Sequence, residues 1–424
     1  MNILIKNCNL ISMDNGREKC EENIDIYIEE GKILEIGKNL NQNAQKVINA
    51  KNKYVMPGLI NTHSHIPMSI FRETTEGYDL QEWLKEKIWP IEDKLTPKDI
   101  YYGTMLSCIE MIKTGTTTIN DMYGFTEEII KAALETGIRL QTTKALMSLI
   151  GDGEKRLLEL EEIINKYNGK YENITLNVGI HGLYTSDEEY IKKCIELAKK
   201  YSLPIHIHFA ENNKEVEDIE LSYGVKPVKI IEKYFNNIHT ILAHGVKLES
   251  EDIKVLNKNN IYISHCPISN LRLGCGIAKV QEMRDNGITV SIGTDGQGSG
   301  SNLDMFEVMK FTGLLQKGIN ENPKNLPAYE VLKMATVNGA KTLGLEEKVG
   351  SIEVGKQADI IILDMNTEVM QPMNDIFANI VYNAKGSNVN TTIVNGRILM
   401  EDRQLSDIDE EEIYEKCQHI IYKA

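Results

Sequence analysis

With 424 residues, 42% of them hydrophobic, the chain is long enough for a large core and for more than one domain. Its formal net charge of −15 would repel a polyanion, so we expect a protein that binds small molecules rather than nucleic acid. The sequence contains neither a signal peptide nor a run of about 18 apolar residues that could cross a membrane, so we expect a cytoplasmic protein that does not bind membranes. The seven cysteines are scattered and include no C-x-x-C pair, which argues against a disulfide framework or a thiolate zinc site.

Both ends of the chain are predicted to be rich in β-strands. Isoleucines at every second position of 24–28 precede a Glu-Gly turn at 30–31, which is a hairpin pattern. Towards the other end, the apolar run ADIIIL (358–363) precedes two strands that meet across Asn-Gly at 395–396, a dipeptide that favours a type I′ turn. These patterns predict a small β-sandwich domain composed of residues 1–57 and 346–424, the second segment also carrying a terminal helix.

The segment between them, residues 58–345, alternates apolar strands with amphipathic helices. Eight candidate strands lie at 59–65, 116–121, 139–144, 176–181, 204–208, 240–244, 261–265 and 289–295. Eight parallel strands with intervening helices predict an α/β fold of the (β/α)₈ TIM barrel type, in which the C-terminal strand ends share one mouth. A doubly wound open sheet is the structural alternative.

Two helices of this segment have clear sequence signals. Apolar residues at helical spacing run from 101 to 112 and are followed by Gly115, which is typical of a helix end. Ser186 and Glu189 have the spacing of a capping box, which predicts Ser186 as the N-cap of the helix that follows.

Histidines gather at the ends of the candidate strands. Side chains alternate across a strand, so His63 and His65 point to the same face and Ser64 to the other. The later strand ends carry His181, His206, His208, His244 and His265, and the eighth strand ends at Asp295. The alternative is that each of these side chains is an ordinary buried polar residue with its own hydrogen bonds, but this explanation would have to hold independently at every strand. The strand-end set therefore predicts a metal centre in the barrel mouth.

The motifs that contain these residues resemble a known family. They are VMPGLINTHSH (55–65), PIHIHFAE (204–211), ILAHG (241–245), SHCPISN (264–270), GTDG (293–296) and GSIEVGKQADIIIL (350–363). In order and spacing they resemble the amidohydrolase superfamily, in particular its deaminase branch that acts on 5′-methylthioadenosine and S-adenosylhomocysteine. The resemblance runs nearly end to end.

The resemblance implies a set of metal ligands. His63, His65, His208 and Asp295 would bind one divalent ion per subunit, since imidazole and carboxylate suit zinc or, alternatively, iron(II). His206 lies deeper in its strand and is expected to be packed and hydrogen-bonded rather than a ligand.

The resemblance also implies a reaction, the hydrolytic deamination of an adenosine-type nucleoside with release of ammonia. Asp295 would accept a proton from the attacking water, and Glu211 would protonate a ring nitrogen. His244 would orient the attacking hydroxide and stabilise the intermediate. The alternative for Glu211 is a helix cap or a surface position.

Weaker matches imply the substrate contacts. Glu92 would accept hydrogen bonds from the ribose hydroxyls, His181 would contact the purine, and Arg156 would bind a homocysteine carboxylate, unless it is an exposed helix residue. Lys144 stands where the family has a second arginine, and a lysine lacks the bidentate fork of a guanidinium.

The segment 66–92 resembles the family lid, in which Trp83 and Trp89 would exclude water, although Trp83 also fits a buried helix face. The run GQGSGSN (296–302) departs from the serine and paired asparagines that are usual in the family. The two departures, this loop and Lys144, leave methylthioadenosine, S-adenosylhomocysteine, 5′-deoxyadenosine and adenosine all open as substrates. A homo-oligomer is expected.

Other functions remain open. The same site would serve a guanine, pterin, cytosine or triazine deaminase or a chlorohydrolase. A non-catalytic relative is disfavoured because all four candidate ligands are present. A binuclear site with a carboxylated lysine is disfavoured because strand four ends at His181, and the cytidine deaminase signature is absent. The glycine run at 296–302 fits a tight turn around Asp295, with a phosphate site as the alternative.

Overall fold

The computed structural model describes residues 1–14, 18–73, 76–258 and 260–421. Segments from both ends of the chain form one mixed sheet. It contains β1 (Ile3–Leu10), β2 (Glu21–Glu29), β3 (Lys32–Gly37), β4 (Lys46–Asn49), β5 (Tyr54–Pro57), β15 (Ile360–Leu363), β16 (Val389–Val394), β17 (Arg397–Glu401) and β18 (Gln404–Leu405). Their order is β18-β17-β16-β15-β5-β1-β2-β3, with β4 paired to β1.

Alternating isoleucines give this sheet an apolar core of its own. The predicted Asn-Gly turn between β16 and β17 is present, with positive φ at Asn395 (49°) and Gly396 (67°), which is the backbone conformation that a type I′ turn needs. The prediction that both termini build one β-rich unit is confirmed.

The middle of the chain forms a parallel barrel. Its strands are β6 (Leu59–Ser64), β7 (Thr116–Tyr123), β8 (Arg139–Leu146), β9 (Ile174–Leu176), β10 (Val178–Gly182), β11 (Ile205–Phe209), β12 (Thr240–His244), β13 (Ile261–His265) and β14 (Thr289–Ile292). The hydrogen-bonded order is β14-β13-β12-β11-β10-β8-β7-β6. The short β9 also pairs with β8, along the part of β8 that precedes its pairing with β10. β9 and β10 therefore share one strand position, and the barrel has eight positions. The predicted barrel is confirmed, and the open doubly wound sheet is excluded.

The first and last strands meet where the barrel closes. The backbone N–H of Asp295 donates to the carbonyl of His63 at 3.0 Å, and the N–H of Thr294 donates to the side-chain oxygen of Asn61 at 3.0 Å. These bonds hold the C-terminal ends of β6 and β14 side by side. His63 and Asp295, which are 232 positions apart in the sequence, are therefore neighbours.

Helices cover the barrel and link its strands. They are α1 (Leu80–Trp83), α2 (Trp89–Glu92), α3 (Pro97–Lys113), α4 (Thr126–Thr136), α5 (Gly153–Tyr167), α6 (Glu188–Tyr201), α7 (Asn213–Tyr223), α8 (Pro227–Tyr234), α9 (Ser250–Leu256), α10 (Pro267–Arg272), α11 (Val280–Asp285), α12 (Gln297–Gly300), α13 (Met305–Ile319), α14 (Ala328–Met334), α15 (Val337–Leu343), α16 (Ile376–Tyr382) and α17 (Glu410–Ile421). Among the described residues, no helix is both long enough and apolar enough to cross a membrane.

The predicted N-cap of α6 is wrong by one residue. Asp187, not Ser186, is the cap, and its side chain accepts a hydrogen bond from the N–H of Tyr190 at 3.0 Å. Ser148, from the loop after β8, donates its hydroxyl to Asp187 at 2.7 Å and accepts the Asp187 N–H at 3.0 Å. A contact with a distant loop therefore selects between two adjacent residues that are both good caps.

A buried ion pair joins the barrel to the terminal sheet. Arg139 begins β8, and its Nε and Nη2 donate to the two carboxylate oxygens of Asp359 at 2.8 and 2.9 Å. Its Nη1 donates to the carbonyl of Glu172 at 3.0 Å. Both side chains of the pair are only 2% exposed, and Asp359 directly precedes β15.

Arg139→Leu is expected to lower the free energy of unfolding by about 3–5 kcal/mol, because it leaves the Asp359 carboxylate buried without its partner. Urea denaturation followed by circular dichroism measures this change. The matched control is Lys166→Leu, which removes a surface pair with Glu127 and should change the stability little, because solvent screens exposed charges. Equal destabilisation by the two variants would contradict the assignment.

Candidate active site

The C-terminal ends of four barrel strands deliver the polar side chains of the mouth. They carry His63 (β6), His65 (directly after β6), His208 (β11), His244 (β12) and Asp295 (after β14). His244 and Asp295 have positive φ values of 75° and 63°, at the points where the chain turns away from the barrel. This backbone region is strained for residues other than glycine, and such strain recurs at functional sites.

His63, His65 and Asp295 form one group whose ligand atoms lie within 4.8 Å of one another, and His208 forms another such group with His63 and His244. Oδ1 of Asp295 lies 3.4 Å from Nε2 of His63 and 3.3 Å from Nε2 of His65. Nε2 of His208 lies 3.1 Å from Nε2 of His65. Ligand atoms that share a zinc ion at about 2.1 Å lie about 3.0–3.4 Å from one another, so these spacings suit a common cation.

The other ring nitrogens of two of these histidines are held by the backbone. Nδ1 of His65 donates to the carbonyl of Met122 at 2.5 Å, and Nδ1 of His208 donates to the carbonyl of His181 at 2.6 Å. A carbonyl can only accept, so the proton of each ring is on Nδ1 and the lone pair of Nε2 points to the centre.

The charge states also fit a divalent cation. Burial lowers the pKa of His63 to about 4 and that of His208 well below its usual value, so both rings are neutral. Burial opposes ionisation of Asp295, but the neighbouring His63, His65 and His244 hold its pKa well below the usual range. Among the described residues, Nε2 of His63 and Nε2 of His244 are buried without a hydrogen-bond partner, which is costly unless a ligand meets them. Neutral imidazoles beside an ionised carboxylate are a donor set for zinc or iron(II).

Two serines that the sequence did not suggest hold Asp295. The hydroxyls of Ser269 and Ser299 donate to Oδ2 at 2.5 and 2.9 Å, and the N–H of Gly296 donates to Oδ1 at 2.8 Å. Ser299 belongs to the glycine run 296–302, which therefore wraps around Asp295 as the tight turn that its sequence favours. Both serines lie in motifs noted above, but only the fold shows that they face the carboxylate.

Glu211 lies on the floor of the same site. Burial and the nearby Asp295 carboxylate raise its pKa to about 8, so the carboxyl keeps its proton near neutral pH. Its Oε2 lies 3.6 Å from Nε2 of His244. Nδ1 of His244 donates to the side-chain oxygen of Asn270 at 2.9 Å, which leaves Nε2 as an acceptor that faces the site.

The backbone at Glu211 is fixed by a second buried carboxyl group. Glu215 accepts the N–H of Ala210 at 3.0 Å and that of Glu211 at 2.7 Å. The N-cap of α7 is Asn212, whose side chain accepts the N–H of Glu215. Glu211 is therefore neither the helix cap nor a surface residue. Its side chain lines the cavity, and its Oε1 accepts a hydrogen bond from the Cys275 thiol at 3.8 Å.

A cavity of about 410 Å³ opens above these residues, and its volume is in the range that holds a small ligand. Its floor includes His65, His208, Glu211, His244 and Asp295, and its walls include Met68, Trp83, Trp89, Glu92, Tyr123, Arg156, His181 and Tyr184. The predicted lid supplies part of the wall through α1 and α2, although Thr74 and Thr75 lie outside the described residues.

The structure brings three of the four further predicted substrate contacts to this cavity. Glu92, Arg156 and His181 line it, and the carboxylate of Glu92 accepts a hydrogen bond from the Tyr123 hydroxyl. Lys144 does not line this cavity. It borders an adjacent cavity of about 350 Å³, and its Nζ lies 2.8 Å from the carboxylate of Glu159.

Two other strand-end histidines lie outside the cluster. His206 is fully buried beneath it, as its depth in the strand suggested. His265 is buried at the end of β13 and belongs to none of the groups of potential ligands that the described residues form.

A parallel (β/α)₈ barrel with a His/Asp cluster and a buried carboxyl group at its mouth defines a metal-dependent hydrolase. The chain belongs to the amidohydrolase family, whose model matches residues 54–399. It is 42% identical over 419 residues to a 5-methylthioadenosine/S-adenosylhomocysteine deaminase from Caldanaerobacter subterraneus, covering 98% of this chain and 96% of the relative.

Two further comparisons extend this likeness. A 5′-deoxyadenosine deaminase from Methanobrevibacter smithii is 42% identical over 403 residues, which cover 93% of this chain and 92% of the relative. The crystal structure of an adenosine deaminase from Xanthomonas campestris with bound zinc superposes with a TM-score of 0.94 at 25% identity, covering 99% of this chain and 98% of that one.

Proposed function

We propose that this protein is a hydrolytic deaminase of adenosine-type nucleosides, which converts the 6-amino group of the purine to a 6-oxo group and releases ammonia. One observation carries the proposal: the buried carboxyl group of Glu211 lies beside His244 and Asp295 on the floor of the cavity. The names of the two curated relatives support a nucleoside rather than a free base.

His63, His65, His208 and Asp295 would hold the metal, for which we propose zinc. When bound there, a divalent ion supplies an activated water for attack on C6 of the purine. The zinc in the Xanthomonas structure supports zinc over iron(II).

The side chains of the cavity floor then move the protons. Asp295 accepts one proton of the attacking water, and the serine hydroxyls on Oδ2 keep its carboxylate in place. Nε2 of His244 accepts a hydrogen bond from the attacking oxygen and orients it. Glu211 gives its proton to N1 of the ring as the C6–O bond forms.

Ammonia release completes the balance of protons. The C6–N6 bond breaks as the second water proton reaches N6, and ammonia leaves. The proton on Asp295 returns to Glu211, so the site is restored. The buried position of these groups keeps bulk water from intercepting the transfers.

The walls of the cavity would bind the rest of the nucleoside. We assign the ribose hydroxyls to Glu92 and the purine ring to His181, as the family resemblance implies. Among the described residues that line the cavity, Arg156 is the only lysine or arginine, so a substrate carboxylate would meet a single guanidinium there. Lys144 is already paired with Glu159 and would contribute little.

Ammonia release measured on a panel of compounds tests this function. We expect turnover of methylthioadenosine, S-adenosylhomocysteine, 5′-deoxyadenosine or adenosine, and none of guanine, cytosine or an amino-triazine. The free base adenine is the matched control, because it presents the same reacting carbon without the ribose. Turnover of a free base, without turnover of any adenosine analogue, would assign the protein to another hydrolase of the same family.

A further inference from the structure

The helix α12 has no side chain at the point where the lid packs on it. A Cβ atom at Gly298 would lie 2.9 Å from Cζ2 of Trp83 and 2.9 Å from Cε of Met68, both residues of the lid. Non-bonded carbon atoms pack at about 3.5–4.0 Å, so a side chain at this position would have to displace the lid. Met68 can turn its terminal methyl group aside, but the indole ring of Trp83 is rigid.

The backbone at Gly298 does not itself require a glycine. Gly298 lies within α12 and is not among the glycines with positive φ, so an alanine could adopt the same backbone conformation. The close approach of the lid is therefore what needs the missing side chain.

The neighbours of Gly298 tie the start of the lid to the same loop. Nε2 of Gln297 donates to the hydroxyl of Ser107 at 2.7 Å, and this hydroxyl donates to the carbonyl of Ile66. The hydroxyl of Ser301, directly after α12, donates to the carboxylate of Glu73 at 2.7 Å. These contacts fix both ends of the segment from Ile66 to Glu73, so the lid has little freedom to move away from a larger side chain at position 298.

Trp83 lies between α12 and the cavity. It is only 4% exposed and lines the cavity, whereas Gly298 does not. The backbone of α12 therefore supports this part of the cavity wall from behind. A ring that is pushed away from α12 moves into the space that the substrate would occupy.

We propose that Gly298 is a positioning residue for substrate binding: because it lacks a side chain, Trp83 packs on the backbone of α12 and leaves room in the cavity for the nucleoside. The identity of the substrate rests on the proposed function, but the packing of Trp83 does not. Overpacking of a well-packed site typically changes an equilibrium constant by about 5–100-fold.

A double-mutant cycle tests this role. Gly298→Ala is expected to raise the KM for the adenosine-type substrate by about 10-fold and to leave kcat near the wild-type value, since the lid does not carry the groups that move protons. Trp83→Phe removes the second ring of the indole, which contains Cζ2, and so makes room for the added methyl group. In the Trp83→Phe protein, Gly298→Ala should therefore change KM by only about 2-fold or less. Steady-state ammonia release from the four full-length proteins measures these values.

The fluorescence of Trp83 tests the packing without substrate. Trp83 and Trp89 are the two tryptophans of the chain, so the emission of a Trp89→Phe protein comes from Trp83 alone. Addition of Gly298→Ala to this protein should shift the emission maximum and raise the constant for quenching by acrylamide, because the displaced ring is less well buried.

Gly318→Ala is the matched control. Gly318 lies in α13 and also has no positive φ. Among the described residues, nothing beyond its chain neighbours and the backbone of its own helix lies within 4 Å of the place that its Cβ would take. This variant should keep the wild-type KM and the wild-type emission of Trp83.

Unchanged quenching of Trp83, or an unchanged KM, in Gly298→Ala would overturn the proposal. An equal rise in KM with and without Trp83→Phe would also overturn it, because the contact with the ring would then not matter. If Gly298→Ala alone does not fold, a folded Gly298→Ala/Trp83→Phe protein supports the proposal, and failure of both to fold overturns it. A protein that shows the expected quenching but deaminates no nucleoside would refute the proposed function and leave the packing of Trp83 on Gly298 standing.

Discussion

Glu211→Gln is expected to lower kcat by about 10²–10⁴-fold, because that is the usual contribution of a positioned general acid. Glutamine has nearly the same shape as a protonated glutamic acid and would fill the same place beside His244, but it cannot release a proton to N1. The metal content of the variant should equal that of the wild type, since Glu211 is not among the proposed ligands. Steady-state kinetics and metal analysis on one preparation measure both quantities.

The control for this variant is Glu217→Gln. Glu217 lies on α7, the helix that follows Glu211, but is exposed. This substitution should leave both kcat and metal content unchanged. A near-normal kcat in Glu211→Gln would show that another group transfers the proton.

The dependence of activity on pH gives an independent check on Glu211. Burial and the Asp295 charge raise its pKa to about 8, so the proton is held below this pH and lost above it. A general acid acts in its protonated form, so activity should fall as the pH rises through about 8. The residual activity of Glu211→Gln should lack this alkaline limb.

Removal of the metal is expected to have an effect of similar size. Exhaustive dialysis against a chelator should abolish turnover, and addition of Zn²⁺ should restore it.

Asp295→Ala should lower kcat by about 10³-fold or more, because it removes both a proposed ligand and the acceptor of the water proton. Charge stabilisation by a bound metal ion is worth several kcal/mol. Metal analysis of this variant should also show a reduced content after dialysis.

Asp407→Asn serves as the control, since the Asp407 side chain is 81% exposed and far from the barrel mouth in sequence. It should keep both the metal and the activity. Full activity of the wild-type protein after complete removal of metal would rule out the metal centre altogether.

The barrel and the residues at its mouth could be predicted from the sequence because both depend on local patterns. The spacing of apolar runs along residues 58–345 predicts alternating strands and helices, and the period of two within a strand places His63 and His65 on one face. Parallel strands in a barrel all point their C-terminal ends to one side, so the histidines and Asp295 had to meet.

The same period of two explains why one of the predicted substrate contacts, Lys144, does not line the cavity. Lys144 and Ala145 are adjacent on β8, and only Ala145 lines the cavity. The family resemblance pointed to Lys144 by its sequence position alone. The direction of its side chain, and its pairing with Glu159, became visible only when the strand was placed in the barrel.

The sequence alone determined the order of strands and helices and the strand faces that carry histidine, because neighbouring residues set these features. Only the tertiary structure decided which partners hold those side chains. His63 and His206 are separated by 143 residues, and Ser269 lies 26 residues before Asp295, so no local pattern records that they touch. Closure of the barrel brings them into contact, and burial then makes each hydrogen bond matter, because water is not there to replace it.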